Sequence, residues 1–462
     1  MQGNYLETEK ISKLLFKFSL PCILSLLISS LYNIVDQIFI GQSELGNNGI
    51  AATGVVFLAF IIAQGVAWCI GDGCAAYLSI CQGRKDTEQI HKGIGTSLLL
   101  TLIISIVLTV IFLVFKHPLL MIFGCPNESY DLASRYFNYV VAFFPIFILM
   151  NMMCSIIRAD GSPNYAMKAM ILGAVINIIL DPIFIFSLNM GIDGAAIATV
   201  IGQIATFILC FIYMFKTKTF TLKKDSFNFH IKEFLKIFIL GISTFITQIS
   251  IAVVSIVCNV MLKKYGLMSN YGDVIPITAI TIETKIYTVV INLVVGVILG
   301  SQPIFGYNYG AKRFDRVKEA YLKVLMITLI IGIVSTIIFQ FFPDLLIRMF
   351  SNDTNPLFYD YTEKMFRIFL MFIIMTLLVK MSSIFFQAVG KTIFAMISSL
   401  IRDLVFFVPL VILMPYFIEK ANPGTGVEAI LYAAPIADAL TIVILVFLTI
   451  SFFKTMNKIE SA

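Results

Sequence analysis

Long apolar stretches, separated by short polar segments, follow one another along almost the whole chain. A bilayer core about 30 Å thick is crossed by a helix of about 20 apolar residues. The stretches are continuous and rich in Leu and Ile, whereas the strands of a membrane β-barrel would alternate apolar and polar residues. The pattern therefore predicts an all-α membrane protein with twelve transmembrane helices. The predicted bounds are 14–40, 49–80, 93–115, 132–157, 165–188, 194–215, 233–262, 274–302, 318–342, 361–387, 393–417 and 427–453.

The composition excludes several other classes. Hydrophobic residues make up 59% of the 462 residues and charged residues 13%, against about 45–50% and about 25% in soluble proteins. The net charge of +6 is dispersed, without the basic patch that nucleic acid requires. The eight Cys and three His residues form no cluster with metal-ligand spacing. We expect no nucleic-acid partner and no metal site other than one for Na⁺.

Motifs for catalysis and for nucleotide hydrolysis are missing from the sequence. Gly390-Lys391-Thr392 ends like a Walker A motif, but Phe385 stands where the first Gly would be. GxSxG and HExxH motifs do not occur, and no polar segment is long enough to form a catalytic domain. We expect a protein that is not an enzyme, has no catalytic residues, and uses neither ATP nor a cofactor.

The basic residues indicate how the chain is oriented. Most Lys and Arg lie in the polar segments that face the cytoplasm if the N-terminus is inside, as in the run Lys216 to Lys236. With an even number of helices, both termini are then cytoplasmic. We expect a multi-pass protein of the bacterial cytoplasmic membrane.

The chain repeats itself. The spacing from Gly73 to Gly83, followed by basic residues, recurs from Gly300 to Gly310. Six helices in each half is an even number, so the two lobes enter the membrane in the same direction and are related by a pseudo-twofold axis along the membrane normal. A cleft between two such lobes is typical of a secondary transporter with alternating access. The predicted parts are an N-lobe at 1–216 (helices 1–6), a cytoplasmic linker at 217–230 and a C-lobe at 231–462 (helices 7–12).

Acidic residues inside the membrane are the candidate functional groups, because an ionised side chain costs at least about 2.5–3.5 kcal/mol there. Asp36 lies in helix 1, and Asn177 and Asp181 share a face of helix 5. Ala195 and Thr199 share a face of helix 6. Together they predict an oxygen cage for Na⁺ or a proton. The alternative is that both acids cap or tether helices near the outer interface.

A second group of polar residues is assigned to a substrate path or a second proton site. Glu283 is the strongest member, since it lies well inside helix 8, whereas Asp403 beside Arg402 also fits an interfacial position. Pro21 and Pro182 each remove a helical hydrogen bond and can bend their helices. The members of this group are Asn33, Gln37, Tyr139, Asn151, Glu283 and Asp403.

Several motifs occur in an order that resembles the multidrug and toxic compound extrusion (MATE) transporters, over essentially the whole chain. The most specific stretches are similar to the bacterial MepA-like branch of that family. The motifs are Asp36-Gln-Ile-Phe-Ile-Gly41, Ile70-Gly-Asp-Gly-Cys-Ala-Ala-Tyr77, Gln82-Gly-Arg-Lys-Asp86, Arg158-Ala-Asp-Gly161, Asn177 with Asp181-Pro182, Gly191-Ile-Asp-Gly-Ala-Ala-Ile-Ala-Thr199 and Ser301-Gln-Pro-Ile-Phe-Gly-Tyr-Asn-Tyr-Gly-Ala-Lys312.

The resemblance implies export of cationic, lipophilic drugs and dyes by a monomer, in exchange for Na⁺ or H⁺. It places the coupling-cation site on the same five residues of the N-lobe and implies that helix 1 bends near Pro21 when the site is loaded. Some members carry an acid in helix 7 as a second cation site, and Gln248 is the only candidate for that position here. The alternative function is a flippase or exporter of a lipid-linked or other physiological metabolite, favoured by a cationic cleft made from Lys285, Lys380 and Arg402. A membrane-embedded enzyme or receptor is a third class.

Overall fold

The computed structural model describes residues 5–43, 45–125, 129–222, 224–272, 274–350 and 355–461, and it confirms the predicted helices. Ten helices are long and apolar enough to cross a membrane, and two bent pairs bring the number to twelve when each pair counts as one span. They are α1 (Ile11–Gln42), α2 (Gly46–Arg84), α3 (Thr87–Val114), α4 (Tyr130–Ala142 with Phe144–Ala159), α5 (Pro163–Ser187), α6 (Gly191–Met214), α7 (Ile231–Gly266), α8 (Val274–Gly310), α9 (Phe314–Phe341), α10 (Pro356–Phe369 with Ile373–Ala388), α11 (Thr392–Ala421) and α12 (Gly426–Met456).

The two bent helices occupy the same position in each half. The two segments of α4 meet at 54° and those of α10 at 50°. The two prolines that were expected to bend their helices have different effects on them. The helix α1 is unbroken through Pro21, whose carbonyl accepts a hydrogen bond from Ser25 Oγ at 2.7 Å. Pro182 ends the regular part of α5, and a π-helical turn at Ile183–Ser187 follows it. Bending of α1 near Pro21 stays a prediction.

The lobes meet through two helix pairs that correspond under the repeat, α1 with α8 and α7 with α2, and α2 also packs on α8. At several glycines, the backbones of the two lobes lie very close to each other. A Cβ atom on Gly241 would lie 1.6 Å from the carbonyl oxygen of Cys69, and one on Gly83 would lie 2.1 Å from that of Tyr307. Between α1 and α8, Ser19 Oγ donates to the Val297 carbonyl at 3.0 Å. Only glycine allows the backbones of the two lobes to approach this closely.

These contacts close one side of the molecule. Among the described residues, the interlobe hydrogen bonds and close glycine contacts run from the side of the chain termini to about the middle of the helices. Two apolar clusters contain residues of both lobes, one with Phe18 and Phe305 and the other with Ile70 and Ile237. On the far side, one cluster lies within the N-lobe and another within the C-lobe. The cleft between the lobes therefore opens away from the termini.

The segment between the lobes is fastened to the N-lobe. Both oxygens of Asp160, after α4, accept hydrogen bonds from the backbone N–H groups of Lys218 (2.7 Å) and Thr219 (2.9 Å), and Tyr213 donates to the same carboxylate at 2.8 Å. Burial raises the pKa of the Asp160 carboxyl, and these hydrogen bonds partly oppose that effect. Further along, Thr96 Oγ1 donates to the Asn228 carbonyl at 2.7 Å. The segment therefore moves with the N-lobe.

Replacing Gly83 with Ala should loosen the closed side. The new Cβ would meet only backbone atoms of α8 and the turn after it, so the lobes must separate to admit it. Cys81 lies two residues before Gly83 and is 3% exposed. Separation of the lobes would make its thiol accessible. We expect its modification by a maleimide, followed by mass spectrometry, to become severalfold faster in Gly83→Ala.

The matched control is Gly54→Ala on the same helix, where a Cβ would meet no atom within 4 Å. Its Cys81 should react at the wild-type rate. Equal rates for wild type and Gly83→Ala would show that this contact does not hold the lobes together.

Candidate functional site

Close packing of α5 on α6 sets the position of the predicted cage. A Cβ on Gly202 of α6 would lie 2.6 Å from the carbonyl oxygen of Gly173 on α5 and 3.3 Å from Cβ of Asn177. Nearby, Thr206 Oγ1 donates to the Ala169 carbonyl at 3.2 Å. The small residues bring the two backbones together, so the polar face of α5 is buried against α6, while α1 packs on α5 from another side.

Three of the predicted cage residues lie together and are buried. The exposed fractions of Asp36, Asn177 and Asp181 are 8%, 2% and 0%. Asn177 Nδ2 donates to Asp181 Oδ1 at 3.2 Å, and the carboxyl groups of Asp36 and Asp181 are within hydrogen-bonding reach of each other. The structure thus joins α1 and α5 at one acidic point.

Three oxygens of the cage could coordinate a cation. Asp36 Oδ1, Asn177 Oδ1 and Asp181 Oδ2 are buried and accept no hydrogen bond from the protein. The ion pairs that join described residues include neither acid. Two carboxylates without a basic partner are costly in a low-dielectric interior. A proton or a hard cation such as Na⁺ would offset that cost.

A fourth helix supplies a residue that the sequence did not reveal. Tyr136 of α4 is 5% exposed, and its hydroxyl is within hydrogen-bonding reach of Thr199. The side chain of Tyr136 also lies within electrostatic range of Asp36 and Asp181. Ala195 is fully buried on the same face of α6 and has only its backbone carbonyl as a possible ligand. One tyrosine among eighteen carried no signal in the sequence, because its importance depends on where α4 packs.

Three other polar residues predicted for the N-lobe are exposed or have hydrogen-bond partners that are not cage residues. Gln37 Nε2 donates to Thr53 Oγ1 at 3.2 Å and so links α1 to α2. Asn151 Nδ2 donates to the Phe147 carbonyl of its own helix at 2.9 Å. Tyr139 is 39% exposed. The side chain of Asn33 lies outside the described residues.

Gln248 of the C-lobe is half-buried on α7. It lies opposite Gly65 of α2, and a Cβ atom added to Gly65 would be 3.4 Å from Cβ of Gln248. It therefore sits near the middle of the interface between α7 and α2. The structure does not bring it to the other predicted C-lobe residues, Glu283 and Asp403.

Asp403 and Glu283 belong to a buried charge cluster in the C-lobe. Arg402 donates to Asp403 Oδ1 and to Asp438 Oδ1, both at 2.8 Å, and Lys380 Nζ lies 3.6 Å from Asp403 Oδ2. Glu283 is 3% exposed and lies within electrostatic range of Arg402. Asp403 and Asp438 are therefore buried with basic partners, unlike the two acids of the N-lobe cage.

The fold, the cleft and the acidic cage define a polytopic two-lobe carrier. The family model described as MatE matches residues 21–183 and 243–413, one stretch in each predicted half and well over half of the chain. The chain therefore belongs to the MatE family.

Individual relatives agree with this assignment. The chain is 27% identical over 357 residues to the multidrug export protein MepA of Staphylococcus aureus (strain MSSA476), covering 77% of each protein. It is also 27% identical over 356 residues to MepA of Staphylococcus haemolyticus (strain JCSC1435), covering 76% of this chain and 75% of that one.

Solved structures share the fold. A crystal structure of MATE in the bent conformation superposes with a TM-score of 0.89 at 22% identity, covering 100% of both chains. A MOP superfamily transporter from Pyrococcus furiosus superposes with a TM-score of 0.87 at 23% identity, covering 98% of both chains. The all-α fold with twelve helices is therefore that of these proteins.

The difference between the lobes predicts opposite effects of the same substitution. Asp36→Asn removes a buried acid that has no basic partner, so we expect the folded protein to become more stable by at least about 1 kcal/mol. Asp438→Asn removes a partner of Arg402, so we expect a loss of about 3 kcal/mol. The measurement is the Tm of the purified protein in detergent at pH 8 without Na⁺.

Asp344→Asn is the control, because Asp344 is exposed at the start of a short helix and its replacement should leave the Tm unchanged. A lower Tm for Asp36→Asn would mean that its carboxylate is stabilised by a partner in the folded protein, and the cage would then not require a cation.

Proposed function

We propose that this protein is a secondary active multidrug efflux transporter that exports cationic, lipophilic drugs and dyes by antiport with Na⁺ or H⁺. The similarity to the multidrug export protein MepA supports drug export. The observation that carries the coupling is the pair Asp36 and Asp181, buried side by side with unpartnered oxygens and without a basic partner among the residues that the structure describes. The ion is the only cofactor, and the protein has no enzymatic activity.

Cation binding at this pair is the proposed input to transport. A proton would be shared between the two carboxyl groups, whereas Na⁺ would also use Asn177 Oδ1 and the Thr199 hydroxyl. Either ion reduces the cost of burying the acids between α1 and α5. Because α1 also packs on α8 of the other lobe, a change at the cage reaches the interface between the lobes.

The cleft supplies the second requirement, which is access from one side at a time. In this structure the cleft opens away from the chain termini. With the cytoplasmic termini that the basic residues predict, this is the outward-open state. Inward opening requires separation of the close contacts at Gly83 and Gly241. Drug and cation need not touch, because each only has to favour one of the two states.

The proposed setting is the bacterial cytoplasmic membrane, where the protein works as a monomer without ATP or nucleic acid. Three basic residues lie at or just beyond the ends of α2 and α8, on the side of both chain termini: Arg84, Lys85 and Arg313. A cytoplasmic position for that side agrees with the general excess of Lys and Arg there.

Export of a lipid-linked metabolite is the alternative, and charge argues against it. An anionic lipid phosphate would need an uncompensated basic cleft. Lys380 and Arg402, two of the three cations predicted for such a cleft, are paired with Asp403 and Asp438. The C-lobe cluster therefore offers no net positive charge, which favours a cationic substrate.

The test is transport by the purified protein in liposomes. Ethidium movement is followed by fluorescence under an imposed Na⁺ gradient and then under a proton gradient. We expect movement under one gradient for the wild type and at least about a tenfold loss in Asp36→Asn and Asp181→Asn, since neither amide can carry the counter-charge.

The matched control is Asp131→Asn, an exposed acid of α4 with 83% of its side chain accessible, which should transport like the wild type. Normal coupled transport by Asp36→Asn would refute the cage assignment. No ethidium movement by the wild type under either gradient would refute the drug class and favour the metabolite alternative.

A further inference from the structure

The first turns of α1, and the residues just before them, are buried in the core of the C-lobe. Five apolar side chains from residues 6–18 belong to a cluster whose other buried members come from residues 282–456 of the C-lobe. They are 0–4% exposed, and they are Leu6, Ile11, Leu14, Leu15 and Phe18. We call residues 6–18 the N-terminal anchor. Near the other end of α1, Ile40 belongs to a cluster of the N-lobe, so α1 begins in one lobe and ends in the other.

Buried polar contacts fix the start of the N-terminal anchor to α8 and α9. Arg316 Nη2 donates to the backbone carbonyls of Leu6 and Glu9, at 3.0 and 2.6 Å. Arg316 Nε donates to Asn308 Oδ1 at 3.1 Å, and Asn308 Nδ2 donates to the Leu6 carbonyl at 3.3 Å. The Asn308 side chain is fully buried. Because a guanidinium holds several donors in one rigid plane, Arg316 fixes two carbonyls of the anchor at once.

Side chains at the surface continue the same attachment. Arg313 Nη1 donates to Glu7 Oε1 at 3.2 Å, and Lys323 Nζ donates to Ser12 Oγ at 2.9 Å. Both contacts join the N-terminal anchor to the C-lobe. They are exposed and therefore stabilise the attachment less than the buried contacts of Arg316 do.

The N-lobe leaves a gap beside the N-terminal anchor, on the side of the chain termini. The gap has a volume of about 350 Å³ and is lined by Lys17 of the anchor and, among N-lobe residues, by Pro163 and Asn164 at the start of α5. Farther along both helices, Asp36 of α1 lies beside Asp181 of α5 in the cage. At its starting end, α1 is therefore packed into the C-lobe and faces open space toward the N-lobe.

Opening of the cleft toward the termini requires the start of α1 to part from one of the two lobes. Parting from the C-lobe would expose five buried apolar side chains and would separate Arg316 and Asn308 from the carbonyls that they bind. Both changes oppose the separation. Parting from the N-lobe only widens a gap that is already present. The second movement costs less, so the N-terminal anchor should move with the C-lobe.

We propose that the N-terminal anchor stays bound to the C-lobe when the cleft changes sides, with Arg316 as the positioning residue that holds it there. The mechanical boundary between the lobes then lies within α1 and not at the linker after α6. As a moving body, the N-lobe begins between Phe18 and Asp36 instead of at residue 1. This inference rests on the alternating access of the proposed function, but not on the identity of the drug or of the coupling ion.

The test compares two cross-links in the full-length protein, both made with the same short bismaleimide between introduced cysteines. Glu7→Cys/Arg313→Cys ties the anchor to the C-lobe, whereas Lys17→Cys/Asn164→Cys ties it to α5 across the gap. The native cysteines are all buried. The measurement is deuterium uptake at the ends of α2 and α8 on the closed side, followed by mass spectrometry. We expect the first cross-link to leave this uptake unchanged and the second to lower it severalfold, because the gap can then no longer widen.

Each variant without the reagent is the control for its own cross-linked form. Lower uptake with the Glu7–Arg313 cross-link would show that the anchor leaves the C-lobe and would overturn the proposal. Unchanged uptake with the cross-link across the gap would show that α1 does not move relative to α5, which would overturn it as well. Deuterium uptake requires no transported drug, so failure of this proposal is distinguished from failure of the ethidium test.

The role of Arg316 is tested by deuterium uptake at residues 6–14. We expect Arg316→Gln to raise this uptake severalfold, because the shorter amide cannot bind both carbonyls, and the conservative Arg316→Lys to raise it less. The matched control is Lys312→Gln, which removes the same charge from an exposed residue of the neighbouring turn and should leave the uptake unchanged. Equal uptake in the wild type and in Arg316→Gln would overturn the positioning role of Arg316.

Discussion

The cost of burying two carboxylates without a basic partner is the constraint on which this structure depends. Asp36 and Asp181 lie side by side between α1 and α5, and a membrane interior offers no water to share their charge. A protein that needed only stability would have placed a lysine or an apolar residue there. We propose that the cage responds to a cation, and the helix that carries Asp36 is the same helix that packs on the C-lobe.

The two lobes handle buried charge in different ways. In the C-lobe, Arg402 and Lys380 neutralise Asp403 and Asp438 at 2.8–3.6 Å, so this cluster holds α10, α11 and α12 together independently of ions. In the N-lobe cage, Asp36 and Asp181 have no basic partner among the described residues. Under the proposed function, the C-lobe is the fixed half and the N-lobe is the half that responds to a cation.

Glycine contacts connect that response to the cleft. The α2–α7 and α2–α8 contacts at Gly241 and Gly83 allow backbone atoms of the two lobes to touch, and such contacts are either fully made or lost, because a small separation removes most of the dispersion energy. The segment between the lobes, held to the N-lobe through Asp160, follows that lobe instead of linking the two loosely.

The sequence by itself determined the twelve helices, since continuous apolar stretches of this length are stable only in a bilayer, and the spacing of Asn177 and Asp181 placed both on one face of α5. The repeat and the motifs also indicated the family. Only the tertiary structure decided which helices meet. It brought Tyr136 of α4 to Thr199, paired Arg402 with Asp438 and opened the cleft away from the termini. These facts depend on packing between residues far apart in the chain, and helix periodicity carries no information about which faces of distant helices come together.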